Sequence, residues 1–199
     1  DVLASNYNTI IHNVVYANED TGLNFYTGSH DNVVIGNVTY GNGDHGIDNN
    51  AAPNNVFIGN TVQGNVTVGI NLEGAIAPGS GGATVINNIM VDNGFLRQTD
   101  GTLSTGSRGN IRVDALSLTG TTLDYDLFSP IGSRCAAGAN GGAVCTVASE
   151  CPGSTCTVGI QIYWGGTGYT TLALFKAAQP TQEINGREAN PLLAVPATP

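Results

Sequence analysis

Acidic side chains recur at matched positions along the first ninety residues, and they are the groups whose type and spacing could do chemistry. Asp20, Asp44, Asp48 and Glu73 are four of the acids in residues 1–94, a stretch that contains no lysine or arginine. Carboxylates that gather without a basic neighbour repel one another. If the fold brings these four together, their repulsion must be relieved.

Three arrangements would relieve it, and the sequence leaves all three open. The hard cation Ca²⁺ takes about six to eight oxygen ligands, and Asp20, Asp44 and Asp48 are its predicted ligands here. Glycoside hydrolysis instead uses one carboxyl group to protonate the leaving oxygen and another to activate water, about 6.5–9.5 Å apart in inverting enzymes. In the third arrangement the acids lie apart in solvent and serve solubility.

One histidine stands among these acids, in the segment Gly-Asp-His-Gly-Ile-Asp. A nearby carboxylate would raise the pKa of His45 toward the range that suits a general acid or base. His45 therefore joins Asp20, Asp44, Asp48 and Glu73 as a predicted catalytic residue.

Aromatic residues near the end of the chain are a second place where a ligand could bind. Tyr163 and Trp164, in the segment Tyr-Trp-Gly-Gly-Thr-Gly-Tyr, are predicted to form a platform on which a sugar ring stacks. The alternative is that they cover the apolar edge of the fold. Tyr26 aligns with Glu73 in the repeats and is a further predicted substrate contact.

Asparagines recur at regular intervals in the segment that contains these acids. Two sets recur at intervals of 24, 23 and 28 residues, the second set five residues after the first: Asn13, Asn37, Asn60 and Asn88, then Asn18, Asn42, Asn65 and Asn93. A repeat this short cannot bury an apolar face alone and must stack on its neighbours. Apolar and polar residues alternate around the first asparagine, which is typical of a strand. A second short strand follows in each repeat, as in residues 46–49.

Connections rich in Asn, Gly and Asp leave no room for helices between these strands. The chain is therefore predicted to coil with about one repeat per turn and with paired strands about 4.8 Å apart. Equivalent asparagines would form ladders of side-chain hydrogen bonds from turn to turn. In this register Asp20 lies against Asp44, while Asn24 lies against Asp48 and Asn71.

The repeat pattern N-x-V/I-x-G-N-x-V/T-x-x-N-x-x-x-G-I/L-N/D covers residues 8–94 and resembles that of right-handed parallel β-helix proteins of the pectate-lyase-like superfamily. Residues 121–130, 168–180 and 183–196 are similar to the closing region of secreted bacterial members. The resemblance implies an all-β, right-handed parallel β-helix (a solenoid), an extracellular or cell-envelope location, and a polysaccharide partner. Fold alone does not convey an activity.

Elimination enzymes of that superfamily use an arginine or lysine base, which the repeats lack. Arg97, Arg108 and Arg112 follow the repeats, and Arg112, on a predicted strand, is the predicted base. The segment Asp-His-Gly-Ile-Asp loosely resembles the histidine-glycine turns of uronan epimerases and polygalacturonases. The paired aspartates and the R-I-K motif of polygalacturonases are absent.

Composition limits the partners of the chain. Its 199 residues fit one domain, and a net charge of −9 makes nucleic acid and anionic membranes poor partners. No segment approaches the roughly 20 apolar residues of a membrane span. The single predicted domain comprises regular repeats, a distorted turn with a loop, a cysteine-containing loop, and a closing strand with a short helix and tail: 1–94, 95–129, 130–158 and 159–199.

Four cysteines fall in the third of these segments: Cys135, Cys145, Cys151 and Cys156. Their even number predicts two disulfides, with three pairings open, and an oxidising compartment. A metal site is disfavoured, because the nearest histidine in sequence is distant. We expect this loop to protrude from the coil.

The first residues already belong to the repeats and show no cap, although a solenoid normally shields its open strands. We expect a mature fragment, a truncated chain or a subunit that associates end to end. The leading functional prediction is a secreted β-helix that binds a polysaccharide and cleaves or epimerises it. The alternative is a non-catalytic structural, adhesive or filament-forming protein.

Overall fold

A computed structural model describes residues 1–74, 76–77, 79–94 and 108–193, and in these ranges the chain winds into a coil of short parallel strands. The strands of the repeats are β1 Thr9–Ile11, β2 Val14–Tyr16, β3 Leu23–Phe25, β4 Val33–Ile35, β5 Val38–Tyr40, β6 His45–Asn50, β7 Val56–Ile58, β8 Thr61–Gln63, β9 Val68–Glu73, β10 Thr84–Ile86 and β11 Ile89–Val91. The later strands are β12 Gly109–Val113, β13 Thr122–Asp124, β14 Leu127–Phe128, β15 Ser133–Cys135, β16 Cys156–Val158, β17 Ile162–Trp164, β18 Thr167–Tyr169 and β19 Arg187–Glu188. The all-β solenoid predicted from the repeats is confirmed.

Each turn of the coil contributes one strand to each of three sheets. Sheet 1 has the order β1-β4-β7-β10-β13, sheet 2 the order β19-β14-β11-β8-β5-β2, and sheet 3 the order β18-β17-β12-β9-β6-β3. Successive turns pair in parallel, apart from the antiparallel β17–β18 pair. In sheet 3, Asn24 pairs with Asp48, Asp48 with Asn71, and Asn71 with Arg112, so the predicted register holds.

Left-handed residues make the corners between the sheets. The residue before each asparagine of the first set has a positive φ: His12 (53°), Gly36 (64°), Gly59 (63°) and Asn87 (58°). This conformation bends the chain sharply and interrupts a strand. The single strand predicted around the first asparagine is therefore wrong, because two strands in different sheets meet at that corner. Each turn has three strands instead of two.

Asparagine ladders run along all three corners. At one corner the backbone N–H and the Nδ2 of Asn37 both donate to Oδ1 of Asn60, at 2.9 and 3.1 Å, and Asn60 repeats both bonds to Asn88. The predicted ladders are thus confirmed, and a third one joins Asn8, Asn32 and Asn55. Because these side chains satisfy buried backbone groups at every bend, the corners can be buried.

The core fills the inside of the coil with apolar side chains from all three sheets. Its largest fully buried members include Phe25, Phe57, Phe128, Ile47, Ile70 and Leu123. Helix α1, Leu172–Ala178, packs at the last turn and buries Leu172 and Phe175, with Thr171 accepting from the N–H of Leu174 as its cap. The predicted short helix is confirmed. Among the described residues, no helix has both the length and the apolar character that crossing a membrane requires.

The cysteine-containing segment folds into an antiparallel hairpin of β15 and β16 with two disulfides. Cys135 is bonded to Cys151 and Cys145 to Cys156, which selects one of the three pairings that the sequence left open. Short 3-10 helices, Ala115–Ser117 and Ala148–Glu150, complete the described structure.

A pair of buried carboxyl groups closes one corner ladder. Oδ1 of Asp126 accepts from the N–H and Nδ2 of Asn88, and the N–H of Asp126 donates to Oε2 of Glu183 at 3.3 Å. Burial, followed by the charge of Asp126, raises the pKa of Glu183 to about 10. The neighbouring Asp124 raises it further, while Lys176 donates to backbone carbonyls of the same segment. The pair therefore holds a proton at neutral pH.

Replacing Asn60 by alanine tests the ladders. The change leaves the backbone N–H of Asn37 buried without its acceptor and removes the Nδ2 donor to Val34 and Asn88, so we expect a loss of about 2–3 kcal/mol in the free energy of unfolding. The matched control is Asn13→Ala, which removes a ladder asparagine from the exposed first turn. Urea unfolding followed by circular dichroism would measure both. Equal losses in the two variants would contradict a structural role for the buried ladder.

Glu183→Gln tests the closing carboxyl pair. An unfolded glutamate loses its proton near pH 4.3, whereas the folded Glu183 keeps its proton, so the free energy of unfolding should fall as pH rises from about 4 towards the raised pKa. Glutamine stays neutral and removes this dependence. Unfolding measured from pH 4 to 8.5 should show a flatter pH profile for Glu183→Gln than for the exposed control Glu19→Gln. Parallel profiles would mean that the pair holds no proton.

Candidate functional site

Polar side chains gather on the outer face of sheet 3, where neighbouring strands bring them into one cluster. Side chains alternate across a strand, so the residues between the core positions of β6, β9 and β12 point away from the core. The cluster consists of Asp48 from β6, Asn71 and Glu73 from β9, and Arg112 from β12, which follow this alternation, and of His45 at the start of β6, which joins them through its contact with Asn71. Although they lie on the outer face, His45, Asp48 and Asn71 are buried.

Asn71 is the hub of the cluster. Its Nδ2 donates to Oδ1 of Asp48 at 2.8 Å and lies 3.2 Å from Nε2 of His45, while its Oδ1 accepts from Nη1 of Arg112 at 3.1 Å. Because an amide nitrogen only donates, Nε2 of His45 is the acceptor and the ring proton of the neutral imidazole lies on Nδ1. Asn71 thus fixes the orientation of three functional groups.

An ion pair between Glu73 and Arg112 forms the accessible side of the cluster. Nη1 of Arg112 donates to Oε2 of Glu73, and Asn50 donates to Oε1 at 3.3 Å. The side chains of Arg112 and Glu73 are 23% and 25% exposed. The cluster therefore reaches solvent through this pair.

Burial sets the protonation of the two inner groups. It is the largest cause that raises the pKa of Asp48 to about 7, with a further increase from Glu73 that outweighs the hydrogen bond from Asn71. Burial also lowers the pKa of His45, despite the opposing charges of Asp44 and Glu73. The expected increase in the pKa of His45 is therefore wrong, because desolvation of the imidazolium exceeds the attraction of its neighbours.

Three polar atoms in and beside the cluster lack a hydrogen-bond partner. In the described part of the chain, Oδ1 of Asn24, Nδ1 of His45 and Nε of Arg112 are buried without one, although Nδ1 of His45 lies 3.6 Å from Oδ1 of Asp44. Buried polar atoms are normally paired. Leaving these atoms unpaired is a local cost of burying the cluster.

The acids predicted as calcium ligands are divided between two places. Asp20 and Asp44 line an open concavity with Glu19, and the backbone N–H of Asp44 donates to the carbonyl of Asp20. Within the described residues, Asp48 is grouped instead with His45 and Glu73, whose ligand atoms lie within 4.8 Å of one another. That group combines an imidazole with a carboxylate already bound by arginine, which does not match the all-oxygen shell of calcium.

The aromatic platform is not formed as expected. Trp164 is only 8% exposed and its ring packs against Phe175 at 5.7 Å, with Tyr169 against the same ring. Trp164 therefore lies in the core, as in the alternative interpretation, and its ring is not available for stacking. Tyr163 pairs with Arg112 on the outer face, and Tyr26 is exposed.

Other predicted features differ in detail or lie elsewhere. The oxygens of Asp48 and Glu73 lie within 4.8 Å, which is closer than the predicted inverting spacing. Arg97 lies outside the described residues, and Arg108 lines a cavity beside the cysteine hairpin. Asn71 was not predicted as a site residue, although its alignment with Asp48 was a signal for it.

The three-sheet coil with its corner ladders is a right-handed β-helix, and sequence comparison agrees with the fold. Residues 1–117 match the family described as the right-handed β-helix region, which is more than half of the chain. The protein belongs to this family. Comparisons with curated proteins and with solved structures find no match.

Glu73→Gln tests the coupling inside the cluster. Removing the negative charge of Glu73 should lower the pKa of Asp48, because that charge contributes to its elevation and Arg112 opposes it. Carboxyl ¹³C NMR titration would measure this pKa. Asp31→Asn, a change at a half-buried carboxylate that pairs with His30, should leave the pKa of Asp48 in place. An unchanged or higher pKa in Glu73→Gln would contradict the described contacts.

Proposed function

We propose that the protein is a secreted carbohydrate-active β-helix that binds a polysaccharide on the outer face of sheet 3 and hydrolyses a glycosidic bond there. The observation that carries this proposal is the Asp48–Glu73 pair, whose oxygens lie within 4.8 Å while their surroundings differ. Glycoside hydrolysis uses two carboxyl groups, one protonated and the other ionised. The spacing is closer to the roughly 5–5.5 Å of retaining enzymes than to that of inverting ones.

In this proposal each carboxyl group has one role. Asp48, with its pKa raised to about 7, is protonated in part of the molecules at neutral pH and donates its proton to the leaving oxygen. Glu73, ionised in its pair with Arg112, attacks the anomeric carbon as the glycosidic bond breaks. Asp48 then takes a proton from water, and the resulting hydroxide releases the sugar from Glu73.

The remaining groups of the cluster position this pair. Asn71 holds Asp48 through its amide and Arg112 through its carbonyl oxygen.

Elimination is less well supported by the same contacts. A lyase would need Arg112 as its base, but the guanidinium donates to Glu73 and Asn71. A guanidinium in an ion pair is difficult to deprotonate. The polar cluster therefore favours hydrolysis over the predicted lyase and epimerase reactions.

An extracellular location and a polysaccharide partner suit the rest of the chain. Two disulfides are consistent with an oxidising compartment, and a net charge of −9 disfavours nucleic acid. Calcium binding by Asp20, Asp44 and Asp48 stays a prediction, and of these Asp20 and Asp44 line one concavity. Its readout is a rise in melting temperature on adding Ca²⁺.

A structural role through end-to-end assembly is the second candidate, favoured by the first turn. Strands β1 and β2 form edges of two sheets, and Ile11, Val14 and Tyr16 are exposed there, whereas Val2 pairs with the edge of β3. Unpaired edges of this kind can join another chain. Such a protein would form concentration-dependent assemblies and would not require the Asp48–Glu73 pair.

Hydrolysis is tested with a panel of neutral and acidic polysaccharides, following reducing ends and the absorbance of unsaturated products. We expect reducing ends without unsaturated products, and a loss of about 10²-fold or more in rate for Asp48→Asn and Glu73→Gln. Asp31→Asn is the matched control and should retain full activity. All variants should first be shown to have the far-ultraviolet circular dichroism of the parent protein.

Two results would overturn the proposal. Unsaturated products would identify elimination and return attention to Arg112. No product from any polysaccharide, together with assemblies that grow with protein concentration in sedimentation experiments, would instead support the structural role.

A further inference from the structure

A second cavity lies between the start of β12 and the disulfide hairpin, apart from the carboxyl pair. Its volume is about 250 Å³, and its lining includes Arg108, Arg134, Cys135, Thr157, Val158 and Ile160. The chain has only six lysines and arginines in total. Two of them line this one cavity in a protein whose net charge is −9.

Close backbone contacts hold the two arginines beside the cavity. Gly109 has a φ of +142°, and a Cβ there would lie 2.6 Å from the carbonyl oxygen of Ile160, so only glycine lets β12 begin so near that segment. Arg108 immediately precedes it. On the opposite wall Arg134 pairs with Thr157 across the hairpin, which the disulfides tie together. The cavity is therefore part of the ordered fold.

The two guanidinium groups have different partners. Arg134 donates to Asp92 at 3.2 Å. Arg108 is half-buried and makes no side-chain hydrogen bond or ion pair with the described residues. Its pKa is lowered by burial alone. A partly desolvated cation without an anion is costly, and a bound anion would remove that cost.

We propose that this cavity binds one carboxylate-bearing sugar unit, with the guanidinium of Arg108 donating to the carboxylate. The planar fork of arginine matches a carboxylate in two parallel hydrogen bonds, and Val158 and Ile160 supply an apolar wall for the ring. The volume is below the roughly 300–1,000 Å³ of pockets for drug-sized ligands, which suits a single unit. Only the choice of a saccharide rests on the proposed function.

The ligand class also agrees with the surroundings of the carboxyl pair. Asp48, Glu73 and Asp44 would repel an anionic sugar at the cleaved bond, while Arg108 and Arg134 would attract one at the cavity. Arg108 and Arg112 are four residues apart, a distance of about 13 Å along a strand. A polysaccharide with both neutral and acidic units could therefore bind with a neutral unit at the carboxyl pair and an acidic unit at the cavity.

Binding of galacturonate and glucuronate to the intact protein tests the proposal, measured by NMR titration with galactose and glucose as neutral controls. We expect the two uronates to shift signals of residues that line the cavity and the neutral sugars to leave them unchanged. Arg108→Gln should weaken uronate binding at least tenfold. Arg187→Gln, which removes an exposed arginine elsewhere, should change it less than twofold. Because Arg108 supports no other described side chain, its variant should unfold at the parent's temperature.

Several outcomes would overturn the proposal. Equal binding of uronates and neutral sugars, no binding, or equal losses in Arg108→Gln and Arg187→Gln would each do so. Binding of inorganic sulfate or phosphate without uronate would assign the cavity to a free anion instead. Asp48→Asn separates this inference from the proposed hydrolysis, because it should abolish cleavage and leave uronate binding intact.

Discussion

The asparagine ladders at the three corners are the interaction on which the rest of this structure depends. A chain that bends three times in every turn places backbone donors inside the protein at each bend, where water cannot reach them. After the first turn, each ladder asparagine accepts a backbone and a side-chain hydrogen from the preceding turn through one oxygen, as Asn65 does from Asn42 at 3.1 and 2.9 Å. The same bonds fix the register between turns. Every column of residues on the sheets, including the cluster on sheet 3, therefore follows from the corners.

The ladders also have a direction, because donors point towards later turns and acceptors towards earlier ones. In the described structure nothing donates to Oδ1 of Asn13 or Asn18 in the first turn, whereas the other ends are closed by Asp126 and Gln161. Two copies that met through their first turns would place oxygen against oxygen. Such a symmetric contact would have to rely on exposed apolar side chains, which weakens the case for end-to-end assembly through the ladders.

The fold could be predicted largely because the ladders are visible in the sequence. The spacing of Asn13, Asn37 and Asn60 predicted the coil and aligned Asp48 with Asn71. Alternation alone could not show that the predicted strand is divided into two at a corner. The left-handed residue at that corner differs in type from turn to turn, being His12, Gly36 or Asn87. Glycine at that position is a turn signal, but histidine is not. The third ladder was equally visible, since Asn8, Asn32 and Asn55 recur at the same spacing in the first three copies.

The position of the site could be predicted from the sequence, but the protonation states of its groups could not. The pKa of each group depends on its burial as well as on neighbouring charges. Sequence alignment places His45 among acids and suggests a charged imidazole, but the fold buries it and reverses the direction of its pKa shift. Asp48 and Glu73 look equivalent in the sequence, but of these two carboxyl groups only that of Glu73 forms an ion pair with Arg112 from a later turn. That arginine lies beyond the regular repeats, so no repeat pattern predicts its partner. The difference between the two carboxyl groups, on which the proposed chemistry rests, is therefore produced by stacking an irregular turn against a regular one.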